Sequence, residues 1–66
     1  MVKEIEIIEA MISFATIANL ANTIDKNTSD GVLAQCILET ALSEIRRLSP
    51  LMGGYMPGNL KASLIP

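Results

Sequence analysis

Histidine and tryptophan are absent from these 66 residues, and cysteine occurs once, at Cys36. A single cysteine excludes a disulfide within the chain, and without histidine the ordinary zinc and haem ligand sets cannot be assembled. No metal and no cofactor are expected. Phe14 and Tyr55 are the only aromatic residues, so any core must be built from aliphatic side chains. Positive charge is scarce as well. Five Lys and Arg stand against seven Asp and Glu, which excludes a general nucleic-acid binder, because phosphate affinity requires several clustered cations.

Long hydrophobic runs are missing too. The longest stretch without charge, Ala10 to Ile24, covers 15 residues and is interrupted by Ser13, Thr16, Asn19, Asn22 and Thr23. A membrane span needs about 20 mostly apolar residues, so none is expected. Glu4, Glu6 and Glu9 occupy the region where a secretory signal would carry its apolar segment, and the protein is read as cytoplasmic. Catalytic constellations are equally absent. Glu6 and Glu9 share a helical face, but carboxylates at a helix start are accounted for by the helix dipole, and a four-helix carboxylate metal site would need Glu-x-x-His. The chain is read as non-enzymatic.

What is present is apolar material. Half of the residues are hydrophobic and the mean hydropathy is +0.42, high for a chain with so much surface to cover. A domain this short buries only about 60% of its unfolded surface. With disulfide and metal excluded, partner subunits are the remaining source of stability, and self-association is expected.

Ile7, Ala10, Phe14, Ile17, Ala21 and Ile24 recur at alternating spacings of three and four, the pattern of a stripe along a helix spanning about residues 3–25. Ile8, Met11, Ala15 and Ala18 run beside it, so the apolar surface is wider than one partner helix covers. From this width Ile7, Ala10, Met11, Phe14, Ile17, Ala18, Ala21 and Ile24 are expected at the oligomer interface. The polar side of this helix, with Ser13, Thr16, Asn19 and Asn22, carries almost no charge and reads as a weakly charged surface or a contact face.

Lys26 to Gly31 is a run of turn formers in which Thr28 or Ser29 caps the next helix. That helix is expected over 30–48, with Leu33, Ala34, Ile37, Leu38, Ala41, Leu42, Ile45 and Leu48 on one face, Cys36 on the polar side, and Ser49-Pro50 as its stop. The short connection returns it antiparallel against the first helix, with Arg46 and Arg47 near the glutamate-rich end. The fold class is thus all-α. A helical hairpin over 1–49 and an irregular apolar tail over 50–66 assemble into a homo-oligomeric helical bundle, the tail docking on the hairpin or on a neighbouring subunit. In that tail Asn59 is expected to cap a short turn through Leu64, while Gly53, Gly54, Pro57 and Gly58 exclude a long helix.

Two functional readings follow. In the first, the protein is a small oligomeric regulator or inhibitor that binds another protein and occludes it, of the kind a phage encodes, with Tyr55, Met56 and Lys61 of the tail as candidate contacts. In the second, intersubunit pockets sequester an anionic metabolite or a signalling cyclic nucleotide, with Arg46, Arg47, Lys61 or Lys26 meeting phosphate and Tyr55 stacking on a base. The two-helix plan resembles, in shape, small regulatory hairpins of the Rop type and phage-encoded oligomers that sequester cyclic nucleotides; no motif of either is matched residue by residue.

Overall fold

The computed structural model describes residues 3–65; positions 1, 2 and 66 of the expected hairpin and tail lie outside them. The described residues are all helical in their regular structure. Helix α1 spans Glu4–Ala21, helix α2 spans Ser29–Leu48, and two 3-10 turns follow at Ser49–Met52 and Ala62–Leu64. The two long helices pack against each other.

Helix α1 starts without a side-chain cap but carries Glu4 and Glu6 in its first turn, where the helix dipole favours negative charge. It ends four residues before the expected Asp25. The reason is local competition for backbone groups: the Thr23 hydroxyl donates to the Leu20 carbonyl at 2.6 Å, and the Asp25 carboxylate accepts from the Asn27 N–H at 2.9 Å. Such side-chain bonds stabilise turns at the expense of helix. Thr28 then begins α2, its Oγ1 accepting from the Gly31 N–H at 3.0 Å and donating to the Asp25 carbonyl at 2.7 Å. One hydroxyl thus fastens both the helix start and the loop that precedes it.

Gly31 lies inside α2 and is buried. A β-carbon there would collide with the Asp25 carbonyl oxygen and lie 2.6 Å from Lys26 Cα. The interhelical loop therefore crosses directly over the first turn of α2, and only glycine leaves room for it.

The core is narrow and rich in alanine. Met11, Ala15, Ala18 and Ala21 of α1 meet Ala34, Leu38, Ala41, Ile45 and Leu48 of α2, with Leu60 of the tail completing the cluster. Five of these ten are alanines, which let the helix backbones approach closely but supply little buried area. The seam is rotated from the expected position. It runs along the Met11, Ala15, Ala18 row, and the row through Phe14, Ile17 and Ile24 lies on its edge, with Ile17 and Ile24 exposed. On α2, Leu33 and Ile37 are exposed rather than in the core.

Helix α2 ends at Leu48, at the expected Ser49-Pro50 stop, but the backbone there does not become extended. Ser49 keeps a right-handed helical conformation, and the chain tightens into a 3-10 turn in which Pro50 sits at the start. No backbone donor is required of proline there. Gly53 and Gly54 then adopt positive φ of 67° and 88°, reversing the chain toward α1.

The tail lies on the hairpin of its own chain. Pro57 and Leu60 are buried, and Met52, Tyr55, Met56 and Leu64 pack against the core. Asn59 does not cap the turn that follows it. Its Nδ2 donates instead to the Ile12 carbonyl and to Thr16 Oγ1, both at 3.2 Å. Asn19 answers from α1, donating to the Asn59 carbonyl at 2.7 Å and accepting from the Lys61 N–H at 3.1 Å. This reciprocal clasp holds the tail along one flank of α1.

With this cover in place the molecule measures 43 × 22 × 15 Å. The fold is one layer of two helices, whereas domains usually bury their apolar faces between two packed layers.

Candidate interaction surface

The two flanks of α1 end up in different states. At 100° per residue, Ile12, Thr16 and Asn19 fall on one side of the Met11, Ala15, Ala18 seam and Phe14 and Ile17 on the other, with Leu20 on the side away from the seam; Ile24 follows in the loop after the helix ends at Ala21. The first side holds the tail. The second adjoins the exposed edge of α2, and between them lie two adjoining depressions. One, of about 270 Å³, is lined by Phe14, Ile17, Cys36, Ile37, Thr40 and Ala41. The other, of about 220 Å³, is lined by Ile17, Leu20, Ala21, Ile24 and Ile37. Ile17 and Ile37 are common to both, so the surface is one continuous apolar face on the loop-proximal half of the hairpin.

This face is exposed to an unusual degree. Leu20 and Leu33 retain 64% and 65% of their accessible surface, and Ile37 retains 49%; single exposed aliphatics are ordinary, but a contiguous group marks an interaction site. None of the residues lining the two depressions is charged. Toward the other end of the hairpin the character changes to ionic. Arg47 Nη2 lies 2.6 Å from Glu44 Oε2, and this contact holds the Glu44 carboxyl below its ordinary value while raising the Arg47 guanidinium. It is the only ion pair among the described residues, so Arg47 engages its own helix and not the glutamates of α1. Both groups are solvent-facing, and such pairs contribute little to stability.

The residues expected at an oligomer interface separate into three groups. Met11, Ala18 and Ala21 are buried inside the seam of the chain itself, so they are not available to a partner in this conformation. Ile7, Ala10 and Phe14 are partly buried against the core. Ile17 and Ile24 are exposed on the open face. Leu20, Leu33 and Ile37 belong to that face as well, although the helical pattern placed Leu33 and Ile37 in the core. The signal was the breadth of both apolar arcs, which exceeds what a single helix contact consumes.

The candidate ligand contacts are not gathered. Lys26 lies in the interhelical loop, beside a depression of about 420 Å³ that it lines with Gly31, Val32, Gln35 and Cys36. Arg46 and Arg47 lie in the last turn of α2, about 23 Å from the Gly31 turn that Lys26 covers, on a helix that rises 1.5 Å per residue. Lys61 is fixed by its backbone on the clasped flank of α1, and Tyr55 and Met56 are half-buried where the tail packs against the core. The Tyr55 carbonyl accepts from Ser49 Oγ at 2.8 Å, which ties this segment to the end of α2. Within one chain these cations form no common anion site.

Among the described residues no three His, Cys, Asp or Glu side chains come together as a metal set, and no helix is long and apolar enough to cross a membrane. Comparison with protein-family models, with curated proteins and with solved structures finds no match to this chain.

Proposed function

We propose that this protein is a small, non-enzymatic, oligomeric interaction protein that regulates or inhibits another protein by binding and occluding it. The observation that carries the reading is the open apolar face from Phe14 to Ile37 on a fold only 15 Å thick. A single helical layer with an alanine-rich seam leaves much of its aliphatic surface in water, and association removes that penalty. The exposed free thiol of Cys36 suits a reducing compartment, in keeping with a cytoplasmic setting.

The reading makes function depend on assembly, so the oligomeric state is its first test. Sedimentation equilibrium at micromolar concentration is expected to give a multiple of 7.1 kDa. A folded monomer at that concentration would overturn it.

A further inference from the structure

We propose that the open face is the site where a second copy of this chain docks, the two hairpins pairing about a two-fold axis that passes near Ile17 and Ile37. The proposal rests on the oligomeric reading above and assigns its interface.

Four observations commit the face to a second copy. The first is area. Ile17, Leu20, Ile24, Leu33 and Ile37 stay between 41% and 65% exposed, roughly 500 Å² of apolar surface together, at the upper end of what a monomer presents. Two such faces bury about 1,000 Å², the lower bound for a specific interface. The second is charge. The chain carries a net charge of -2, so two copies repel wherever their charged surfaces meet, yet the lining of both depressions is wholly uncharged. This is where like molecules can approach without an electrostatic penalty.

The third is shape. The face combines two depressions that share Ile17 and Ile37 with exposed aliphatic side chains, Leu20 at the wall of one and Leu33 one helical turn before Ile37. A two-fold contact is self-complementary, with each copy supplying both side chains and hollows. The fourth is layering. Pairing two sheets of helix, each 15 Å thick, yields a four-helix arrangement with an interior, the architecture a lone hairpin lacks. The tail does not compete for the face, because its clasp fixes it to the opposite flank of α1. Docking over the loop-proximal halves leaves the Glu44 and Arg47 end of each hairpin free for a different protein.

The test uses the full chain and two substitutions at sites already exposed to water. Wild-type protein and the Leu51→Asp variant, altered at an exposed residue of the first 3-10 turn, are both expected to sediment at twice 7.1 kDa. Ile37→Asp is expected to sediment at the monomer mass while keeping its helical circular dichroism. Cys36 borders the face, so its labelling rate by a maleimide in the wild type is expected to fall as protein concentration rises through the dimerisation range. Assembly that survives Ile37→Asp but is lost in Leu51→Asp, or labelling independent of concentration while the mass doubles, would overturn this interface and leave oligomerisation standing. A wild-type complex of three or more copies would overturn two-fold pairing alone. A wild-type monomer would overturn both the interface and the oligomeric reading.

Discussion

The two flanks of α1 start from similar material and reach opposite outcomes. Both carry apolar residues, Ile5 and Ile12 on one and Phe14 and Ile17 on the other, and both are almost free of charge along the second half of the helix. One flank receives the tail because Thr16 and Asn19 offer polar groups in register with Asn59 and the Lys61 backbone. The other offers no such partner and stays bare. The difference lies in hydrogen-bonding capacity: apolar surface attracts any cover, but paired amides choose which cover and in which register.

Four substitutions probe that contrast, beginning with the seam between the flanks. Met11 is completely buried, and Met11→Ala is expected to cost about 2–5 kcal/mol. Domains of this size hold only roughly 3–10 kcal/mol in all, so chemical denaturation should show a fold at the edge of collapse. Phe14→Ala, at a partly buried position between seam and open face, is expected to cost less. The reverse order would return the seam to the Phe14 row.

Gly31→Ala comes next, with an expected loss of about 1–3 kcal/mol from overpacking. In an exposed helix the same change is favourable by about 1 kcal/mol, so the sign itself reports whether the loop crosses α2 at this point. A raised melting temperature would place the loop elsewhere.

The smallest expected effect is on the clasp. Asn59→Ala removes two exposed donor contacts with α1, about 0.5–1.5 kcal/mol each at most. Denaturation should shift slightly, while amide exchange near Leu60 and Lys61 should rise well above that of the α2 core. Unchanged exchange in the tail would mean that apolar burial of Pro57 and Leu60 alone directs it.

Much of the secondary structure is legible in the sequence. Periodicity and turn residues locate both helices, narrow the α2 cap to Thr28 or Ser29, and mark the breaks at the interhelical loop and at Gly53-Gly54, because each depends on interactions within a few residues. The α1 terminus was overextended, since the 3.6-residue pattern continues through Ile24 while Thr23 and Asp25 have already diverted the backbone. What could not be read was tertiary. Periodicity marks an apolar arc but not which part of it faces a neighbour, so the seam on Ala15 and Ala18, and the exposure of Leu33 and Ile37, had no local signature. The clasp had a faint one: a helix face built of Thr16 and Asn19 without Lys or Glu is poorly suited to water and well suited to a hydrogen-bonded segment. Gly31 looked like one more turn residue, and its role depends on a backbone crossing that sequence spacing does not encode.

The central claim is that one flank of α1 is closed within the chain and the other is closed by a second copy. Methyl NMR over a dilution series tests both halves at once. Resonances of Ile17, Leu20, Leu33 and Ile37 are expected to move together as the protein is diluted, while those of Ile12, beside the clasp, and Leu60, where the tail enters the core, stay in place. Stationary open-face methyls, or dilution shifts centred on Ile12 and Leu60, would contradict the account.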